Sequence, residues 1–347
     1  MNPGFKNLLA IFTLLAIGCA SANAQFINPN FTQSDFTNLF PGSTPIADLP
    51  NATSIETTID QAIGQVESLI GYSGTPFQIN FLSDPNISLG SSAGTNLDLL
   101  PYSTYLSDLQ GESNKSADLT EAIASLPAGP GTGINNNAQY VGMGGALLDG
   151  IGDTTDGNSL ILSNHGFAGT VALNVSQMNI SAVEHELDEI LGIGGEGSTL
   201  KYTETGTPFI GPLDLYRYSG AGVRSYSNSP TASSYFSIDG GNTDLVHFNQ
   251  DPSGDFGDWG NGVNGQANTP PQVQDAFQVI GSTPPNMGPN EAIALNVVGW
   301  QLTPTGLALE AVPEPGTLPL LLVGGGLMVI VLRRFHRPDA SASARDC

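Results

Sequence analysis

Ile180-Ser181-Ala182-Val183-Glu184-His185-Glu186-Leu187-Asp188-Glu189-Ile190-Leu191-Gly192 is the stretch on which the reading of this chain turns. Ser181, with Glu184 three residues on, has the form of a capping box, apolar residues recur at helical spacing, and Gly192, Gly194 and Gly195 supply a stop. A helix is therefore predicted over Ile180 to Leu191. Its angles place Val183, Leu187, Ile190 and Leu191 on one face and His185 and Glu189 on the opposite one, so one side packs on a core and the other meets water or a cleft.

His185 and Glu189 stand four residues apart, about 40° in azimuth, so both side chains can reach one cation. Glu186 follows His185 directly, the position of the general base in H-E-x-x-H zinc proteases; here the order is H-E-x-x-E, with a carboxylate in place of the second imidazole. The alternative is a solvated acidic face with a passing histidine.

Working outward, Thr53 and Glu56 form a second capping box before Ile55, Ile59, Ala62, Val66, Leu69 and Ile70, which predicts a long amphipathic helix ending at Gly71. Pro76 to Leu82 alternates as a strand. Asp118 and Glu121 open a short helix that Pro127 ends, and Ser159 to Leu162 and Gly169 to Val175 read as strands. Residues 127–158, rich in Gly and Asn, are expected as loops, and a last helix runs from Asn290 to about Val298.

Composition limits the function. Nine Lys and Arg face 32 Asp and Glu, a net charge of −23, so nucleic acid and anionic membrane surfaces would be repelled. Between residues 25 and 312 only Lys115, Lys201, Arg217 and Arg224 oppose 29 carboxylates. Such a body suits divalent cations. With 43 Gly and 24 Pro, a helical bundle or coiled coil is excluded and a loop-rich α+β body favoured.

Both ends read as targeting segments. Residues 1–24 carry Lys6, an apolar run and Ala22-Asn23-Ala24, a signal peptide cut by signal peptidase after Ala24. A competing lipoprotein reading of Ala16-Ile17-Gly18-Cys19 has Ala where Leu is usual. At the other end Val312-Pro313-Glu314-Pro315-Gly316 precedes an apolar stretch over 317–332, taken as a short transmembrane helix, and an Arg cluster over 333–337. This order resembles the PEP-CTERM sorting signal of Gram-negative bacteria that secrete exopolysaccharide. The resemblance implies processing by an exosortase over 313–347, transient anchoring, and release or attachment at the surface, where an exopolysaccharide matrix is a candidate partner. The two cysteines, Cys19 and Cys347, lie in these segments, so the exported body carries no disulfide.

Between Ile180 and Trp300 four motifs follow in order: His185 to Gly192, Pro212 to Ser219 (PLDLYRYS), Tyr235 to Gly241 (YFSIDGG) and Gly254 to Trp259 (GDFGDW). They resemble a family of exported, PEP-CTERM-bearing metalloproteases. The resemblance implies a zincin (metzincin)-like α+β fold, with a mixed sheet over an active-site helix in an N-terminal lobe (25–195), an irregular lobe over 196–300 and a linker over 301–312. It makes His185 and Glu189 ligands of Zn²⁺, Glu186 the base for hydrolysis of proteins or peptides, and Gly192 the residue that turns the chain back towards the metal. The third metzincin histidine would fall at 195, which is Gly195. Asp214 is the first choice for the missing ligand, then Glu196 and His247. Asp214 otherwise pairs with Arg217 or Arg224. A site with two carboxylates cancels the charge of a divalent ion, which implies a less acidic bound water and slower activity or a higher pH optimum; calcium or manganese also suits it.

Asp239, Asp244, Asp255 and Asp258 are candidate ligands of structural Ca²⁺, although Asp-Gly turns form without an ion. No G-x-S-x-G elbow, phosphate loop or mature cysteine nucleophile is present. A catalytically inactive matrix or adhesion protein with the same fold is the alternative function.

Overall fold

The helix read from Ile180 to Leu191 lies against a five-stranded sheet in a computed structural model, which describes residues 25–32, 40–94, 97–128, 139–152, 167–195, 209–260, 267–277 and 285–311. The strands are β1 (Ile27–Asn30), β2 (Thr44–Pro45), β3 (Phe77–Ser83), β4 (Gly90–Gly94) and β7 (Phe167–Leu173). They run in the order β1-β3-β7-β4, with β2 on the far end of β3. β1, β3 and β7 are parallel, and β4 is an antiparallel edge strand whose Ala93 stands beside Thr170 of β7. All seven residues of β7 are buried, as a strand between parallel and antiparallel neighbours under a helix requires.

Two helices cover one face of this sheet, α1 (Ala52–Leu69) and α5 (Ile180–Ile190), and pack on each other. α1 buries Ile55, Ile59, Ala62, Ile63, Val66 and Leu69, the stripe expected from the sequence, but begins at Ala52 with Thr53 already inside the helix. α5 likewise starts two residues earlier than its capping box suggests, because Asn179 Oδ1 accepts the Ala182 amide and Ser181 sits within the helix. An Asn just before the first turn competes well for that amide.

Between β4 and β7 the chain builds a second layer: β5 (Leu97–Pro101), α2 (Tyr102–Gly111), α3 (Ala117–Ser125), β6 (Tyr140–Gly144) and α4 (Gly145–Gly150). β6 and α4 fall where loops were expected. Val141, Met143, Ala146, Leu147 and Leu148 are buried there, so tertiary burial overrode the glycines around them. β6 pairs with β5 and with β8 (Phe209–Ile210).

Residues 217–247 form a small antiparallel sheet, β9 (Arg217–Gly220), β10 (Val223–Arg224), β11 (Tyr235–Phe236) and β12 (Val246–His247), ordered β10-β9-β11-β12. α6 (Pro289–Val298) returns to the body, and α7 (Pro304–Glu310) follows. The segment expected as a plain linker over 301–312 thus holds a helix: Thr303 Oγ1 caps it at Gly306 N, and Pro304 has its first position. One hydrophobic cluster runs from Phe26 through Trp259 to Trp300, so the two expected lobes share a core.

The expected signal peptide over 1–24, the strand expected over Ser159 to Leu162, and the sorting segment from Val312 onward, with its apolar stretch 317–332, lie outside the described residues. Among the described residues no helix is long and apolar enough to cross a membrane.

Candidate metal centre

α5 is buried on more sides than a one-faced amphipathic helix would be. Glu184 and Asp188 are fully buried and Glu186 nearly so, while the His185 and Glu189 side chains keep 13% and 11% of their surface open. The acidic face is therefore not solvated. His185 and Glu189 point together: Nε2 of the ring lies 3.4 Å from Glu189 Oε1 and 3.7 Å from Asp258 Oδ2. Ligand atoms of these three residues all fall within 4.8 Å of one another, and among the described residues no other such group of His, Cys, Asp and Glu occurs.

Each member is held by a neighbour. His185 Nδ1 is 3.0 Å from the Val273 carbonyl, which can only accept, so Nδ1 carries the hydrogen and Nε2 faces the carboxylates. Glu189 Oε2 accepts from Ser92 Oγ of β4 at 2.5 Å. Asp258 Oδ1 accepts from the Gly195 amide at 2.7 Å and from Gln274 Nε2 at 2.9 Å, leaving Oδ2 towards the histidine. Gly195 reaches Asp258 with φ +65°, and a Cβ there would press on Glu189 at 3.0 Å. The position at which a third histidine would stand thus holds the loop that brings Asp258.

Asp214, the expected third ligand, is not in the group. It is buried in the short 3-10 turn Leu213–Tyr216, where its charge supports the guanidinium of Arg217. Arg217 is itself fully buried. It donates to the Phe256 carbonyl at 2.6 Å and the Asn249 carbonyl at 3.4 Å, and lies over the Phe248 ring at 4.2 Å. Both carbonyls belong to the loop that carries Asp258, whose own carbonyl accepts from Asn249 N at 2.8 Å. The PLDLYR motif therefore acts on the site from behind, through the GDFGDW loop. Asp258 had drawn notice only as an oxygen donor on a turn. Its pairing with His185 spans more than seventy residues and leaves no local pattern.

Of the other candidates, Glu196 lies outside the described residues. His247 pairs with Asp244 Oδ2 at 2.9 Å on β12, away from the centre. Asp239 accepts from Ser237, Asn242 and Thr243 within its own turn. The structure does not bring Asp239, Asp244 and Asp255 into one group.

The groups of this cluster shift one another strongly. Burial works against the His185 imidazolium, yet Asp258, Glu189 and Glu186 together push the ring well above its usual value. Burial and Glu189 push Glu186 up strongly, and burial takes Asp258 to about 7. Gly90 of β4 sits so close to the Glu186 carboxyl that any side chain there would collide with it. On the adjoining face of the helix, Glu184 and Asp188 have no hydrogen-bond partner at any carboxyl oxygen. Burial and Glu291 push Glu184 up to about 8, so it is a neutral acid at pH 7.

No curated protein and no solved structure matches the chain. The resemblance to exported metalloproteases is supported by none of these comparisons. Residues 311–335 match the PEP-CTERM protein-sorting motif, which marks an exported, surface-sorted protein that exosortase-type machinery processes.

Proposed function

We propose that His185, Glu189 and Asp258 hold a divalent cation, Zn²⁺ in the first instance, and that the chain is a surface-sorted metallopeptidase with a zincin-like arrangement. The convergence of one imidazole and two carboxylates beside Glu186 carries this reading. The donor set fits: Nε2 is the available nitrogen, and each carboxylate keeps one oxygen for the ion while the other is hydrogen-bonded. When bound, the ion would polarise a peptide carbonyl and make a neighbouring water more acidic.

Glu186 is the base in this reading. It takes a proton from the attacking water at its carboxylate and passes it to the leaving amine. Among the described residues β4 is an edge strand of its sheet, and it lies beside both Glu186, at Gly90, and Glu189, at Ser92. A substrate chain in extended form would add to that edge and lie across the centre. Two carboxylates neutralise a divalent ion, so activity is expected to rise towards alkaline pH. Structural Ca²⁺ at the Asp239 or Asp255 turns stays a separate proposal, tested by the same metal analysis.

The second reading, an inactive matrix or adhesion protein that keeps the metal as a clip, is favoured by the burial of Glu186, which pushes its carboxyl well above the usual carboxylate range. Metal content and hydrolysis of a generic protein substrate separate the two. The peptidase reading expects the wild type to bind about one zinc and cleave, and Glu186→Gln to keep the zinc while its rate falls about 10²- to 10⁴-fold. A zinc-loaded wild type without activity supports the second reading, and a wild type that takes up no metal removes both.

A further inference from the structure

Cations are scarce in this chain, and Glu67 is a buried carboxylate that lacks one. It lies near the end of α1 at 8% exposure, remote from the group on α5. Its Oε1 accepts two successive backbone amides, Phe26 N at 2.7 Å and Ile27 N at 2.6 Å. Burial raises its pKa and the two amides lower it, and no cationic side chain among the described residues contributes. The next nitrogen towards the N-terminus is that of Gln25, and the Ala22-Asn23-Ala24 site expects the chain to be cut immediately before it.

We propose that Glu67 is the receptor for the α-ammonium group of a mature chain that begins at Gln25. Signal peptidase would add one water across the Ala24–Gln25 amide, leaving a carboxylate on Ala24 and an amine on Gln25 that takes up a proton. The nitrogen next to two amides already seated on Glu67 then changes from neutral to cationic. A cation one residue from a buried carboxylate stabilises its ionised form. β1, an edge strand of the main sheet that the two amides already join to α1, is thereby held more firmly after export. The competing fate of an N-terminal Gln is cyclisation, in which its amine attacks the side-chain carbonyl and ammonia leaves, abolishing the charge. In the structure that side-chain amide is turned onto the strand, with Nε2 donating to Ile27 O at 3.0 Å.

The test starts from the full chain secreted by a Gram-negative host, with its N-terminus read by mass spectrometry. Chains beginning at Gln25 are then compared with chains retaining Asn23-Ala24, each with Glu67 and with Glu67→Gln. The proposal expects an uncyclised Gln25 terminus and a Tm lowered by about 2–4 °C by the extension when Glu67 is present. It expects no such loss in the Glu67→Gln pair. A pyroglutamyl terminus, cleavage elsewhere, or an equal loss in both pairs overturns it. Should Glu67→Gln fail to fold, titration of the α-amine in the wild type decides: the proposal needs a pKa above the ordinary range of about 7.7–8.0, and an ordinary value rejects it. None of these readouts depends on metal or on peptidase activity.

Discussion

Two acidic faces of α5, one residue apart along the helix, are treated in opposite ways by the fold. On one, His185 and Glu189 open towards β4 and meet Asp258 from a distant loop, with each carboxylate hydrogen-bonded at one oxygen and turned to the imidazole at the other. On the other, Glu184 and Asp188 have the same spacing and similar chemistry but face α6, fully buried and without partners. Spacing on a helix supplies the opportunity for a cation site. The neighbours that arrive from elsewhere decide which pair can use it.

The sharpest way to break this comparison is to remove ligands. Asp258→Ala or His185→Ala should lower zinc affinity by about 100-fold or more, read by competition with a chromophoric chelator, whereas Asp214→Asn should leave affinity within a few-fold. Equal losses for Asp258 and Asp214 would contradict the geometry. A smaller change tests the fixing of Asp258: Gln274→Ala removes the 2.9 Å bond to Oδ1 and is expected to cost about 10-fold in the same titration.

On the silent face, Glu184→Gln replaces one neutral hydrogen-bonding group by another. At pH 7, however, the unfolded wild type is ionised and must take up a proton to fold, which the variant need not, so the variant should be the more stable of the two in urea unfolding. The sign with pH follows from a folded pKa of about 8 against an ordinary 4.5. The wild type loses stability as pH rises from about 4.5 to about 8, and the variant should not.

The smallest effect belongs to a half-buried acidic contact far from α5. Burial and Asp118 push Glu310 of α7 up to about 7, with Ser116 Oγ donating to it at 3.1 Å. Its raised folded pKa contributes most below about 4.5 and is lost as pH rises through 7, so Tm should drift down between pH 5 and 8. Solvent screening limits this to under about 1 kcal/mol, and Glu310→Gln should flatten the drift.

Much of the local architecture could be read directly. The α1 stripe, the β3 strand and α5 with its glycine stop all follow from periodicity, which depends only on neighbours in sequence. Both helices start two residues before the boxes chosen, α5 because the Asn179 side chain caps it first, α1 at Asn51 without a side-chain cap. β6 and α4 were hidden because glycine-rich segments take regular structure only when buried. The expectation for Asp214 failed for a different reason: a carboxylate in a conspicuous motif has an equally good use beneath a buried arginine.

The sequence by itself determined the sorting signal, the acidic, disulfide-free body and the presentation of His185, Glu186 and Glu189 on one helix, since each rests on composition or on spacing within a few residues. Only the tertiary structure decided that Asp258 joins them, that Arg217 secures its loop, and that Glu184 and Asp188 are sealed away. Those outcomes come from segments tens of residues apart, whose approach is set by β-sheet register and core packing rather than by any local pattern.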